Sequence, residues 1–150
     1  MSKLRSDVAI KASGLKVLRG TGPVPANAFA DPRHEALGWR LYTEETGSGG
    51  ATDWDAIRVT HLVPEKLVDL IPNETFILET GFERLHGVDF RKGCYVGQEV
   101  TARMKHKTEL RKGLVRVAVS GTVPVGTPVT ADGREAGVLY TQSGLSLIHI

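Results

Sequence analysis

The chain contains one cysteine, Cys94, in surroundings that favour a thiolate. Arg91, Lys92 and Gly93 precede it, and a helical period follows over 94–105, where Val96, Val100 and Met104 recur every four residues. Neighbouring cations and the positive end of a helix both stabilise a charged sulfur, so Cys94 is expected to ionise more readily than a free thiol. Lys92 is then its charge partner. The competing reading is a small buried hydrophobe. Gly93 and Gly97 allow the backbone to approach a ligand or another strand closely.

The other chemistry-bearing residues are sparser. His34, His61, His86, His106 and His149 show no HxxxH or HxxE spacing, and one cysteine cannot build a zinc cluster with them. His86 and His106 are the two that can lie near Cys94 as a base. Glu79 follows the apolar run Phe76, Ile77, Leu78, so its carboxylate either faces solvent by alternation or accepts hydrogen bonds from a ligand. No phosphate loop, nucleophile elbow or dinucleotide fingerprint is present.

The elements that must position these groups change character along the chain. Alternation predicts short strands at Asp7–Lys11 and Leu15–Arg19, a proline-rich loop over 20–32, and a strand at Leu37–Thr43. Glycines over 46–51 give a flexible connection. Thr52 and Asp55 have the form of a capping box, opening a helix with Trp54, Ile57 and His61 on one face and ending before Pro64. Pro64–Leu70 reads as a second short helix, Asn73–Thr80 as a strand or extended piece, and Phe82–Leu85 as a helical turn. From Lys112 the period becomes two, through Val115, Val117 and Val119 and on to strands at Thr127–Thr130 and Glu135–Gln142. That change sets a boundary between residues 1–108 and 109–150. Three or four strands do not close a barrel, so a fragment, cut at least at its C-terminus, is expected.

The chain's 150 residues are 41% hydrophobic and 24% charged, the composition of a folded domain rather than a disordered one. Apolar runs are too short for a membrane helix, and the start lacks a secretory signal. A lone cysteine argues for a reducing compartment. The net charge of +2 hides a segregation, since residues 44–83 carry −7 and residues 84–116 carry +6. Either the blocks form complementary faces or the basic one holds an anion locally.

The run KGCYVGQEV at 92–100, with LETGFERLHGVDF at 78–90 and ARM at 102–104, resembles the signature of the YgfZ-type folate-binding proteins, relatives of the T-protein (aminomethyltransferase) of the glycine cleavage system. DPR at 31–33, LGWR at 37–40 and the β-segment after 112 match as well. The resemblance implies an α+β fold: part of a T-protein-like folate-binding domain over 1–108, then an incomplete C-terminal β-barrel over 109–150. It implies a tetrahydrofolate-binding accessory factor for assembly or repair of iron–sulfur proteins, with Lys92 and Cys94 as the functional pair. Tyr95, Gly97, Gln98 and Glu99 complete the motif. Glu79 falls where the T-protein relatives present a carboxylate to the pterin, and Arg103, like Lys92, can meet the glutamyl carboxylates.

The implied partners are folate and iron–sulfur client or assembly proteins, in a bacterial cytoplasm or a mitochondrial matrix, with no membrane. Two other functions compete. A tetrahydrofolate-dependent one-carbon transferase would need an activating acid from the family's N-terminal region, so an accessory factor is expected rather than a stand-alone enzyme. An RNA-linked role would use 84–116 as a backbone-binding patch, but with only Phe90 and Tyr95 to stack on, nucleic acid is not an expected partner.

Overall fold

In the computed structural model, which describes residues 11–107 and 109–149 (145–149 by backbone alone), two antiparallel sheets flank two helices. The first sheet has β1 (Lys16–Gly20), β2 (Phe29–Ala30) and β3 (Trp39–Thr43) in the order β1-β3-β2. A 3-10 turn, Glu35–Leu37, separates β2 from β3. Helix α1 (Trp54–Thr60) and helix α2 (Gln98–Lys107) follow. The second sheet has β4 (Leu114–Ala118), β5 (Pro128–Ala131), β6 (Arg134–Ser143) and β7 (Leu145–His149) in the order β4-β7-β6-β5. The mixed architecture agrees with the α+β expectation at that level. No barrel closes among the described strands.

The strands at 15–19, 37–43, 127–130 and 135–142 are found within a few residues of where alternation places them; residues 7–10 lie outside the described part. Asp132 and Gly133 both have positive φ, 51° and 74°, which suits the right-handed twist of the β5–β6 hairpin. Strand β7 pairs with both β4 and β6 and so lies inside the sheet.

Three expectations between the sheets need correction. Helix α1 is capped by Asp53, not Thr52. The Asp53 carboxylate accepts from Ala56 N–H at 2.8 Å and from Ser143 Oγ at 2.9 Å, and these two bonds hold its carboxyl below the usual carboxylate range. Pro64–Leu70 is a set of turns, not a helix, because the Asp69 side chain takes the Glu65 amide at 2.7 Å and Leu67 has φ +67°. Asn73–Thr80 is likewise turns rather than a strand. Asn73 has φ +65°, Thr75 Oγ1 accepts from Ile71 N–H at 2.8 Å, and Thr80 Oγ1 donates to the Ile77 carbonyl.

The apolar core is small: Leu37, Val63 and Leu85 cluster with Ile57 against them. Two buried carboxylates do much of the remaining fastening. Asp31, 6% exposed, accepts from the backbone N–H, Nε and Nη2 of Arg33 and pairs with Arg40 at 3.1 Å. Burial pushes its carboxyl up, but Arg33's hydrogen bonds and the two guanidinium charges outweigh this and leave it below the usual range. The DPR and LGWR motifs thus meet at one carboxylate. Asp69, 1% exposed, accepts from Arg58 Nη1 at 3.1 Å and from Thr141 N–H and Oγ1 at 2.9 and 2.7 Å, which ties the 64–70 turns to β6. Arg58 also pairs with Asp55 at 2.7 Å and Glu65 at 3.5 Å. Helix α1 packs against β6 and β7, and Arg84 and Arg116 donate to the carbonyls of Thr60, His61 and Leu62 at its end.

Candidate functional site around Cys94

Helix α2 begins at Gln98, four residues later than its period predicts. Gly97 has φ +85°, and Gln98 N–H donates to the Tyr95 carbonyl at 3.2 Å, so residues 95–98 form a turn of type II geometry. The Gln98 side chain closes it from the other direction, its Oε1 accepting from Tyr95 N–H at 3.1 Å. Cys94 therefore stands on an exposed loop ahead of the helix, not on its first turn. The buried-hydrophobe alternative is also excluded.

Five of the eight expected site residues, Cys94, Tyr95, Gln98, Glu99 and Arg103, line one groove of about 580 Å³ along α2. His106, one of the two candidate bases, lines it as well; His86 lies in another groove, beside Asp89 and Phe90. Lys92 stands at the edge, its Nζ 4.7 Å from the centre of the Tyr95 ring in a cation–π contact. Glu99 and Arg103 pair with each other at 2.9 Å, one turn apart. Gly97 contributes the turn rather than a wall. Glu79 is elsewhere. It lines a second groove of about 390 Å³ with Met104, Lys107, Glu109, Leu110, Arg111 and Lys112, and its carbonyl accepts from Leu114 N–H. Lys107 belongs to both grooves. Among the described residues, no three His, Cys, Asp or Glu side chains converge as a metal site.

The apolar stripe expected to bury α2 does not do so. Val96 is fully exposed and Val100 more than half exposed, while Thr101 is the buried residue of the helix. What holds α2 instead is polar and aromatic. Lys105 Nζ lies 2.6 Å from Glu83 and 5.3 Å from the Phe90 ring centre, and His106 meets Phe90 edge-on at 6.1 Å. Nothing in their local spacing announces Glu83 and Phe90 as partners, since they reach α2 only through tertiary folding. The basic block is thus divided. Arg84, Arg116 and Lys105 serve the fold, while Lys92, Lys107, Arg111 and Lys112 are exposed around the two grooves and Arg91 lines the groove of His86.

That division yields an expected result for three lysines of the same block. Lys105→Ala loses the Glu83 and Phe90 contacts and is expected to cost about 0.5–1 kcal/mol in a urea melt. Lys92→Ala and Lys107→Ala are expected to leave the melt unchanged, with Lys92→Ala alone reducing function that depends on Cys94. Equal melts for all three would remove the anchoring role from Lys105.

Comparison with known proteins follows the same geography. Residues 111–146, covering β4, β5, β6 and the turn into β7, match the family described as CAF17, C-terminal beta-barrel domain. The human protein named iron-sulfur cluster assembly factor IBA57, mitochondrial, is 36% identical over 148 residues, with 89% of this chain and 42% of that protein covered. Its mouse counterpart is 37% identical over 129 residues, covering 76% of this chain and 36% of that protein. A Neurospora crassa homologue of the same name is 38% identical over 119 residues, covering 72% of this chain and 26% of that protein. The chain thus spans less than half the length of each of these relatives.

Proposed function

Because this chain belongs to the family of the IBA57 iron–sulfur cluster assembly factors and their CAF17-type relatives, we propose that it serves iron–sulfur protein assembly through Cys94. The observation that carries this reading is the exposed thiol at the mouth of the α2 groove. Iron–sulfur clusters are held by cysteine thiolates, and this chain has one cysteine to offer. A cluster met at Cys94 therefore takes its remaining ligands from outside these 150 residues. Tyr95, Gln98 and Gly97 set the loop's shape, and Lys92 places a positive charge beside it. The relatives are named mitochondrial, and for a eukaryotic source the matrix is the compartment of this reading. No helix among the described residues is long and apolar enough to cross a membrane.

Tetrahydrofolate enters the proposal through the second groove. Glu79 sits there among Lys107, Arg111 and Lys112, a set able to accept a pterin's N–H groups and to meet glutamyl carboxylates. Bound there, the cofactor supplies a one-carbon carrier or a structural ligand. An accessory role is preferred to a transferase because the relatives are named assembly factors.

The test is complementation of a strain lacking the family protein by the full-length gene, wild type, Cys94→Ala or Glu79→Ala, read as activity of a four-iron enzyme. Loss of nearly all rescue with Cys94→Ala at normal protein level is expected. Full rescue by Cys94→Ala would overturn the thiol's role. Calorimetry with tetrahydrofolate decides the second groove: unchanged affinity for Glu79→Ala would remove Glu79 from it.

A further inference from the structure

We propose that the stacked His34–His61 pair is a pH-sensitive latch that fastens the Glu35–Leu37 turn to the end of α1 when the His61 ring is neutral and releases it in acid. The two imidazoles lie 3.9 Å apart, centre to centre, with an interplanar angle of 28°. They come from opposite sides of a junction. His34 caps the 3-10 turn, its Nδ1 accepting from Ala36 N–H at 3.1 Å, and His61 ends α1, its backbone N–H donating to the Ile57 carbonyl at 3.1 Å. Leu37 and Ile57, from the two sides of that junction, meet in the apolar cluster with Val63 and Leu85.

A proton is unwelcome on the His61 ring. It would put an imidazolium against a stacked neighbour, partly out of water. The charged groups facing His61 are Arg116 from β4, Arg84 from the 81–90 turns, and Glu35 from the 3-10 turn. The guanidiniums oppose protonation; Glu35 alone favours it. Burial, His34 and Arg116 together outweigh Glu35 and hold the His61 ring below the ordinary histidine range.

The direction of the pH effect follows. Below about pH 6.5 the unlatched chain binds a proton at His61 that the latched one refuses, so the latch weakens as pH falls through that value. The loss continues until the latched ring itself titrates. At neutral and alkaline pH the junction is closed.

Two measurements on the intact protein test this. In the first, the His61 imidazole resonance is titrated by NMR from pH 8 to 5 in the folded protein and in the urea-unfolded chain. His61 is expected to titrate lower in the folded protein; titration at or above the unfolded value would overturn the latch, with no variant needed. In the second, hydrogen exchange at the Leu37 and Gly38 amides, which donate to the His34 and Glu35 carbonyls, is corrected for intrinsic rates. Protection is expected to fall between pH 7.5 and 5.5, by up to about tenfold for one proton taken up below the free-histidine value. His61→Phe, which keeps a stacked ring and takes no proton, should flatten that fall. An unchanged protection in wild type, or an equal fall in folded His61→Phe, would refute the proposal.

Discussion

Asp69→Ala is expected to destabilise the chain by about 3–5 kcal/mol, the cost of removing one partner from a buried ion pair. The carboxylate takes hydrogen bonds from Arg58, the Glu65 amide, and both the amide and hydroxyl of Thr141. All four donors lose their acceptor together. Arg58 is itself 4% exposed, so its guanidinium would be left partly unpaired in the interior with only Asp55 and Glu65 on its other edges. Asp69→Asn should be nearly as damaging, because its amide group would point donors at donors. Thr141→Val should cost about 1 kcal/mol, the ordinary value of one hydrogen bond. Urea melts of the three variants check the order. If Asp69→Ala costs no more than Thr141→Val, the carboxylate is not the fastening between the 64–70 turns and β6. A double replacement of Arg58 and Asp69 by apolar residues should recover part of the loss, since no buried charge then lacks a partner.

Gly38→Ala is the second large effect, expected at about 3–5 kcal/mol from backbone strain and overpacking together. Gly38 has φ +63°, a region that side chains other than glycine's avoid, and an added Cβ would stand 2.0 Å from the Gly20 carbonyl oxygen. The obstruction is backbone of β1, which cannot swing aside as a side chain would. Gly121 separates the two contributions. Its φ is +83° but nothing lies within 4 Å of the added Cβ, so Gly121→Ala should show the conformational cost alone, about 1–2 kcal/mol. Equal losses at the two positions would mean that β1 yields to the new methyl group.

Much of the fold was legible because its signals are local. Alternation of Val115 and Val117 requires only neighbouring residues, and it located β4; the same holds for β3, β5 and β6. The motif at 92–100 is likewise local, and four of its residues, with Arg103 just beyond it, share a groove. The misreadings arose where a polar side chain captured backbone groups. Asp69 took the Glu65 amide from a predicted helix, and Thr75 and Thr80 turned a predicted strand into turns. At α2 the local signal was present but outweighed: Gly97 at positive φ holds a turn that the four-residue period of Val96, Val100 and Met104 runs straight through.

By itself, then, the sequence determined β1, β3, β4, β5 and β6, the single thiol ahead of α2, and the family. Each depends on residues within a few positions of one another. Tertiary structure alone decided that Asp69 rather than Glu79 is the deeply buried carboxylate, that Glu83 and Phe90 hold α2, that His34 stacks on His61, and that β7 enters between β4 and β6. Those outcomes join segments 15 to 72 residues apart, for example Asp69 with Thr141. Burial of a charge or pairing of an inner strand is settled by what arrives from the far end of the chain, and no local period encodes it.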